Sequence, residues 1–275
     1  MDIMWIALAA LLVLATLWLM LIMPARSTKT QRAPFQNRCF AHRGLFAADQ
    51  SVPENSLDAF RAAVDAGYGV ELDVQLTRDK QVVVFHDDTL TRVCGVDARV
   101  DAYTLEELKA MPLFGTSERI PLFTDVLAVL DGKIPVIVEL KSGGDWKTLC
   151  EKTLALLRGY AGDYCVESFH PLLVRWFYKN APDILRGQLS EAARYSRAYM
   201  PLYQTVLMSR LLTNILVHPQ FVAYRIGPKC LSARISEALG AMRVAWTARP
   251  TDDHMRLTRR NDAIIFEHYR PEPHF

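Results

Sequence analysis

The chain has 275 residues, of which 32 are Lys or Arg and 30 are Asp or Glu, so its formal net charge is +2 at pH 7. Such an even balance gives no bulk attraction to a polyanion, and we expect no nucleic-acid partner. Hydrophobic residues make up 51% of the chain. The absence of a collagen period and of low-complexity tracts, with a single long apolar run, excludes fibrous, disordered and multi-span membrane proteins.

The first predicted element is that apolar run, residues 3–23, in which no residue is charged and only Thr16 is polar. As an α-helix it would be about 31 Å long, enough to cross the hydrocarbon core of a bilayer. A cleaved signal peptide is the alternative, but the run is longer than a typical signal core, Asp2 precedes it instead of basic residues, and no small-residue cleavage site closes it. We therefore predict a single transmembrane helix, with the lipid bilayer as a partner.

The flanking charges predict the direction of this helix. Arg26, Lys29, Arg32 and Arg38 follow it, whereas Asp2 and the amino terminus precede it. The positive-inside rule then places the large domain on the cytoplasmic side. The five cysteines are widely spaced and form no C-x-x-C pair, a pattern typical of unpaired buried thiols in a reducing compartment.

Residues 24–37 are polar and lack apolar periodicity, so we predict a linker there and a folded domain over 38–275. One helix is predicted over 55–66, after the start signal Pro53-Glu54-Asn55. Strands that alternate with helices favour a parallel sheet. Short apolar runs typical of strands recur along the domain: 39–42, 70–76, 82–86, 135–140, 164–169, 184–189, 221–225, 243–247 and 263–267.

The second and third runs form a hairpin. Only residues 78–81 lie between Thr77 and Val82, too few for a parallel crossover, so the pair must be antiparallel. A turn centred on Asp79 and Lys80 would set His86 opposite Asp73. Without the return arm, eight strands remain, which predicts a (β/α)8 TIM barrel in preference to a doubly wound sheet.

The least regular segment is residues 191–220. It is predicted to hold one or two helices, and we expect its aromatic and leucine residues to form core and not a lipid-binding face. These residues are Tyr195, Tyr199, Tyr203, Leu207, Leu211 and Leu212.

Acidic residues on the hairpin indicate a site. Residues 69–74 alternate strictly, so Glu71 and Asp73 share one face of their strand. Two neighbouring carboxylates inside a barrel repel unless a cation or a proton lies between them, and oxygen ligands favour Mg²⁺ or Ca²⁺. A solvated edge hairpin with outward acids is the alternative. Glu139 and Lys141 share a face at the carboxyl end of another strand, where barrel active sites lie.

Six short motifs follow one another along the first half of the domain: Ala41-His42-Arg43-Gly44, Pro53-Glu54-Asn55-Ser56, Glu71-Leu72-Asp73-Val74, Val84-Phe85-His86-Asp87, Ile120-Pro121-Leu122 and Val138-Glu139-Leu140-Lys141. In these motifs and their order, the sequence resembles the glycerophosphodiester phosphodiesterase family. The resemblance covers about residues 39–142 and is fainter beyond, at Ser168-Phe169 and Trp246-Thr247. It implies the same barrel, with a small insertion after the hairpin over about residues 88–118.

The resemblance also implies a reaction, the metal-dependent hydrolysis of a glycerophosphodiester to glycerol phosphate and an alcohol. Three acids would hold the Mg²⁺ or Ca²⁺: Glu71, Asp73 and Glu139. Two histidines would serve as the acid/base pair: His42 and His86. Two cations would contact the phosphate: Arg43 and Lys141. Trp246 would either line the substrate pocket or fill the barrel.

Other polar residues in the motifs are expected to have local roles. Glu54 and Asn55 would start a helix, and Asp87 and Asp88 would be loop acids.

The substrate is left open by two features. The last strand ends in residues 265–271, Ile-Phe-Glu-His-Tyr-Arg-Pro, where family members often have a Thr-Asp-Tyr-Pro-like sequence. A membrane anchor also makes lysophospholipids plausible substrates beside water-soluble diesters. One alternative function is lysophospholipase D-type cleavage of a lipid head group, with release of a cyclic phosphate. Another is a catalytically silent barrel that binds phosphodiesters as a sensor, although the intact set of histidines and acids argues against it.

Overall fold

The computed structural model describes residues 3–198 and 200–275. Two residues used in the predictions above lie outside the described residues. They are Asp2, used for the orientation of the apolar helix, and Tyr199, in the irregular segment 191–220.

A closed barrel of eight parallel strands forms the centre of the domain. Its strands, with the hairpin arm β3, are β1 (Arg38–His42), β2 (Gly69–Leu76), β3 (Val82–Val84), β4 (Val136–Leu140), β5 (Tyr164–Ser168), β6 (Arg186–Ser190), β7 (Phe221–Arg225), β8 (Met242–Ala248) and β9 (Ala263–Phe266). Pairing of β1 with both β2 and β9 closes the barrel, and β3 pairs antiparallel with β2 outside it. The predicted TIM-barrel class is confirmed, with a strand at each of the nine apolar runs.

Helices surround the barrel, and their apolar faces pack against the outward side chains of the strands. Phe60, Phe123 and Phe177 are fully buried in this layer, each worth about 2 kcal/mol of transfer free energy. The helices are α1 (Ile3–Ile22), α2 (Lys29–Arg32), α3 (Leu57–Asp65), α4 (Thr91–Cys94), α5 (Leu105–Lys109), α6 (Phe123–Leu130), α7 (Trp146–Arg158), α8 (Pro171–Asn180), α9 (Ala193–Ser196), α10 (Leu202–Ser209), α11 (Asn214–Val217), α12 (Leu231–Ala238) and α13 (His254–Thr258).

Inside the barrel, two phenylalanine rings occupy space that glycines leave open. A Cβ on Gly69 would lie 2.5 Å from the ring of Phe40, and one on Gly187 would lie 2.0 Å from the ring of Phe221. Phe35, which precedes β1, stacks on Phe40 with ring centroids 6.1 Å apart. Close-packed aromatic side chains therefore fill the amino-terminal end of the barrel, and the carboxyl end is left for polar groups.

All five cysteines are free, as predicted. Cys39, Cys150 and Cys165 are buried, and Cys94 and Cys230 are half-buried.

The β2–β3 hairpin is antiparallel, as predicted, but the predicted register is wrong by one residue. Val74 faces Val84 because the loop has three residues, 78–80, and not two. Lys80 adopts φ 62° and its N–H donates to Thr77 O at 3.0 Å, an arrangement typical of three-residue hairpin loops. Asp73 consequently lies opposite Phe85 and not His86, and the Phe85 N–H donates to Asp73 O at 2.9 Å.

The predicted insertion, residues 88–118, contains α4 and α5 and has its own small apolar cluster. Leu90, Val93 and Leu108 are buried there against Val83 and Phe85 of the hairpin arm. The insertion is thereby fixed beside the β2–β3 hairpin.

Residues 24–37 run along the amino-terminal ends of the barrel strands. The Ala25 N–H donates to Pro219 O at 2.8 Å, just before β7, and the Asn37 N–H donates to Asp262 O at 2.6 Å, just before β9. Gln31 Nε2 donates to Asp183 O at 2.9 Å, ahead of β6. This segment, although polar in sequence, is therefore packed against the barrel.

Helix α1 is long and apolar enough to cross a membrane. Only its last residue, Ile22, is buried, where the helix meets α11 and α12.

The aromatic and leucine residues of 191–220 do not form the single buried face that we expected. Leu211 is buried, but Tyr203 and Leu207 are exposed. The prediction was wrong because it assumed that the apolar face of a helix beside a barrel must point inward.

Candidate active site

Three carboxylates meet at the carboxyl end of the barrel. Glu71 and Asp73 come from β2 and Glu139 from β4, and the parallel register sets Asp73 beside Glu139. All three are buried, and one oxygen from each lies within 4.8 Å of the others. Two oxygens on opposite sides of one Ca²⁺ would lie at about this separation, since each Ca–O distance is about 2.4 Å. The cluster has the size of a site for one divalent cation.

Cations of the protein surround one member of this cluster more closely than the others. Lys141 Nζ lies 2.8 Å from Asp73 Oδ1 and 2.8 Å from Glu139 Oε1. Arg43 Nε lies 3.5 Å from Asp73 Oδ2, which also accepts a hydrogen bond from Asn55 Nδ2 at 2.9 Å. The negative charge of Asp73 is therefore balanced by Lys141 at one carboxylate oxygen and by Arg43 at the other.

The pKa values of the three acids reflect this difference. Burial would raise the pKa of Asp73, but Lys141 and neighbouring cations hold it below its ordinary value. Burial, followed by the charge of Asp73, raises the pKa of Glu71 well above its ordinary value. Burial also raises the pKa of Glu139 to about 7, against the opposing effect of Lys141. The cluster thus holds more negative charge than its protein cations balance, and it favours uptake of a proton or a metal ion.

Arg43 is held in place by the loop before α3. Arg43 NH1 donates to Glu54 Oε1 at 2.7 Å, and the guanidinium of Arg92 donates to both oxygens of Glu54 at 2.9 and 2.6 Å. The expectation that Glu54 and Asn55 start the helix is wrong, because Ser56 is the N-cap and its Oγ accepts from the Ala59 N–H. The side chains of Glu54 and Asn55 support Arg43 and Asp73 instead.

His42, at the end of β1, lies between two carboxylates. Its Nδ1 is 2.7 Å from Glu267 Oε2, and its Nε2 is 3.9 Å from Glu71 Oε2. Arg249 Nε donates to the other oxygen of Glu267 at 2.7 Å. Burial, followed by the charge of Arg43, lowers the pKa of His42.

His86, just after β3, has a similar partner from the adjacent residue. Its Nδ1 is 2.7 Å from Asp87 Oδ1, and Arg92 donates to both oxygens of Asp87 at 2.7 and 2.9 Å. Asp87 is therefore a partner of His86, which corrects its interpretation as a plain loop acid. Burial, followed by the charge of Lys141, lowers the pKa of His86 to about 4.

A cavity of about 430 Å³ opens above these groups. Trp246 forms part of its wall, and its indole Nε1 donates to Ala223 O at 3.0 Å while its ring meets the edge of Phe169. The structure therefore brings all eight predicted site residues to one end of the barrel. The predicted residues that line the cavity are His42, Arg43, Glu71, His86, Glu139 and Trp246. Asp73 is the third member of the acidic cluster, and Lys141 forms ion pairs with two of its members.

Two acids at the site were missed by the sequence analysis. Glu167 on β5 lies beside Glu139 in the parallel register, and burial, followed by the charge of Glu139, raises its pKa well above its ordinary value. Glu267 is part of the segment that departs from the usual family sequence. The inward position of Glu167 within β5 was a usable signal, since Cys165 and Glu167 share a face, but no sequence feature pairs Glu267 with His42.

Comparison with known proteins adds the family. Residues 42–269 match the model of the glycerophosphoryl diester phosphodiesterase family. This chain belongs to that family. Its members are phosphoric diester hydrolases, and the match extends over both halves of the barrel, including the second half, where the sequence motifs are faint.

Relatives of two kinds resemble the chain. A glycerophosphodiester phosphodiesterase of Caldanaerobacter subterraneus subsp. tengcongensis is 34% identical over 173 residues, which cover 59% of this chain and 70% of the relative. The rat lysophospholipase D GDPD1 is 31% identical over 164 residues, which cover 55% of this chain and 50% of that protein. The chain thus matches only half the length of the rat protein.

Solved structures share the barrel. A phosphodiesterase of Oleispira antarctica, solved with the product sn-glycerol-3-phosphate, superposes with a TM-score of 0.69 at 22% identity and covers 84% of this chain and 93% of that one. A glycerophosphodiester phosphodiesterase of Thermotoga maritima gives a TM-score of 0.61 at 23% identity, with 83% of this chain and 93% of that one covered. At these identities the likeness shows the fold.

Proposed function

We propose that this protein hydrolyses glycerophosphodiesters to glycerol phosphate and an alcohol, with a divalent metal ion and two histidines. One observation carries the proposal: a buried cluster of three carboxylates lies at the same end of the barrel as two histidines, each with a carboxylate on Nδ1. Family membership supports the reaction class.

The acidic cluster fits a hard divalent cation. Glu71, Asp73 and Glu139 would hold it, because they offer closely spaced carboxylate oxygens and because the raised pKa values of Glu71 and Glu139 reflect unbalanced negative charge. When bound, Mg²⁺ or Ca²⁺ supplies charge stabilisation for the phosphate oxygens and orients the substrate.

His42 and His86 would transfer the protons. The carboxylate beside each Nδ1 would accept a hydrogen bond from the Nδ1–H, which would leave Nε2 as the atom that takes or gives the reacting proton. One histidine would take a proton from the attacking water as its oxygen bonds to phosphorus, and the other would protonate the alcohol oxygen as its bond to phosphorus breaks. Their lowered pKa values keep both rings largely neutral before substrate binds, so the general acid would gain its proton as the negatively charged phosphate enters.

The remaining predicted residues would bind substrate. Arg43 lines the cavity, and Glu54 orients its guanidinium, a rigid donor suited to phosphate oxygens. Lys141 would add positive charge from beside Asp73 and Glu139. Trp246 would form the wall against the glycerol or head group.

We further propose a single-pass membrane protein with the barrel on the cytoplasmic side. The length and exposure of α1 support the span, and Arg26, Lys29 and Arg32 after it support the direction. Lysophospholipids then become a second substrate class, and the resemblance to lysophospholipase D GDPD1 supports it.

The test uses the full chain in lipid nanodiscs with glycerophosphocholine and lysophosphatidylcholine, in EDTA and then with Mg²⁺ or Ca²⁺. We expect EDTA to abolish turnover, and Glu71→Gln and His42→Ala to lower it by about 100-fold or more. Glu151→Gln, an exposed carboxylate on α7, is the matched control and should change the rate by less than about twofold. Calorimetric titration with Ca²⁺ measures the metal site of Glu71→Gln independently of turnover.

Turnover that persists in EDTA and in Glu71→Gln would refute the metal site. Phosphorus NMR of early products separates direct hydrolysis from the lysophospholipase D-type route, because only the second gives a cyclic phosphate. A folded, metal-binding protein with no turnover would favour the sensor.

A further inference from the structure

Helix α10 has its polarity reversed relative to an ordinary barrel helix. Four of its five exposed side chains are apolar, with Leu202 59%, Tyr203 64%, Val206 42% and Leu207 40% exposed, and the fifth is Gln204. The side chains that face the protein are polar, since Thr205 is 0% exposed and Ser209 is 2% exposed. A surface helix in water normally buries its apolar stripe. The outer face of α10 is therefore shaped for an apolar surrounding.

The apolar surface continues onto the next helix. Ile215 and Leu216 of α11 are exposed, whereas Asn214 of the same helix is buried. Leu172 on the neighbouring helix α8 is exposed as well. We call this the crossover surface; its apolar residues are Leu172, Leu202, Tyr203, Val206, Leu207, Ile215 and Leu216.

The crossover surface is continuous with the membrane-spanning candidate. Helix α11 packs directly against the end of α1, and Asn214 Nδ2 donates to Ile22 O at 3.0 Å. Ile22 is buried at this junction, while the rest of the long apolar helix projects from the protein. A bilayer that surrounds α1 therefore begins beside α11.

The charges of the segment are of one sign. Residues 192–217 contain Arg194, Arg197 and Arg210 and no acidic residue. Segments that lie in the interface of membranes with anionic lipids typically combine an apolar helix face with basic residues, and here all charged residues of the segment are arginines. A second copy of this chain would need acidic groups to match these arginines, and the crossover surface has none to offer.

We propose that α10 and α11 form a second membrane contact, which lies in the interface of an anionic bilayer beside α1. The contact rests on the membrane attachment proposed above and not on the hydrolytic reaction. It has a consequence for the site, since Tyr195, which precedes α10 in the same crossover, lines the active-site cavity and packs on Arg225 with 4.0 Å between guanidinium carbon and ring centre. The cavity mouth and the crossover surface therefore share one segment of chain.

The test is photo-crosslinking of the full chain in nanodiscs that contain phosphatidylglycerol. Tyr203→p-benzoylphenylalanine and Leu207→p-benzoylphenylalanine report on the crossover surface. Arg61→p-benzoylphenylalanine is the matched control, at an exposed position of α3 on the opposite side of the barrel. Leu12→p-benzoylphenylalanine reports on α1 itself. Mass spectrometry of the intact protein identifies each adduct without any need for turnover.

We expect lipid adducts at positions 203, 207 and 12, at least about fivefold more than at position 61. We also expect adducts at 203 and 207 to fall severalfold in discs of phosphatidylcholine alone. Lipid adducts at position 12 with none at 203 or 207 would overturn the proposal and leave the anchor standing. Adducts of twice the protein mass at 203 or 207 would overturn it in favour of a second copy. A yield unchanged by lipid charge would overturn the role given to the arginines.

Discussion

The two histidines of the site are held by similar contacts that come from different distances along the chain. His86 and its carboxylate Asp87 are adjacent residues on one loop. His42 and Glu267 are 225 residues apart and meet only because β9 pairs with β1. The orientation of His86 is thus a local property, whereas that of His42 depends on closure of the barrel.

Solvent adds a second difference. The side chain of His42 is 16% exposed and that of His86 is 34% exposed. Water can replace a lost hydrogen-bond partner at an exposed ring more readily than at a buried one. The His42 arrangement should therefore be the more sensitive of the two, and the following substitutions test that comparison.

The largest effect is expected from Glu267→Gln. The substitution keeps the shape of the side chain but removes the charge that fixes the proton on His42 Nδ1, and we expect kcat to fall about 100-fold with little change in KM. Steady-state kinetics in the proposed assay measures it. Glu272→Gln, an exposed acid of the same segment, is the control. A loss of less than about threefold would mean that Glu267 does not orient His42.

Asp87→Asn should have a smaller effect of the same kind. We expect kcat to fall about 10-fold, because water reaches His86 and can take over part of the hydrogen bond. Asp88→Asn, at the next and exposed position, should leave kcat unchanged. If Asp87→Asn is as harmful as Glu267→Gln, the difference in exposure between the two histidines does not matter for catalysis.

Replacing the arginines that bond Asp87 and Glu267 should give the opposite order of effects, with the larger loss of activity on the His86 side. The side chain of Arg92 bonds both Asp87 and Glu54, whereas the side chain of Arg249 bonds Glu267 and is 61% exposed. We expect Arg92→Gln to lower kcat/KM about fivefold and Arg249→Gln to change it less than about twofold. Equal losses of kcat/KM in the two variants would show that the contacts from Arg92 through Glu54 to Arg43 do not contribute to activity.

The smallest expected effect is in acid stability. Burial would raise the pKa of Glu267, but its contacts with His42 and Arg249 lower it to about 2. A carboxyl whose pKa is lowered on folding stabilises the protein above its unfolded pKa, and this stabilisation is lost as the pH falls toward the folded value. Glu267→Gln should therefore lose less thermal stability between about pH 5 and about pH 3 than the unchanged protein. An equal fall of Tm with pH in Glu267→Gln and in the unchanged protein would show that folding does not lower the pKa of Glu267.

Local patterns predicted most of the fold. Apolar runs marked all nine strands, and the four residues 78–81 were enough to show that the hairpin is antiparallel. The register was missed because Lys80 adopts a left-handed conformation, which adds one residue to the loop, and no residue type at that position demanded it.

The site divides in the same way. Residues within motifs, such as Glu71 with Asp73 and His86, could be predicted because strand alternation and sequence neighbours place them. Glu267 could not, since its partner lies at the other end of the chain. The outward face of α10 was missed for another reason: periodicity identifies an apolar face but does not tell which solvent that face meets.

The hydrogen bonds of residues 24–37 to the underside of the barrel have a consequence for the proposed membrane anchor, because they limit how the domain could move relative to a bilayer around α1. A flexible tether of this length would let the barrel sample a hemisphere about 20 Å in radius, with the site turned in every direction. The hydrogen bonds to Pro219 and Asp262 instead hold the segment, and with it the end of α1, against the barrel. In the proposed membrane-anchored arrangement, the cavity would keep one height and one tilt above the lipid, so its access to head groups would be set by geometry and not by diffusion of the domain.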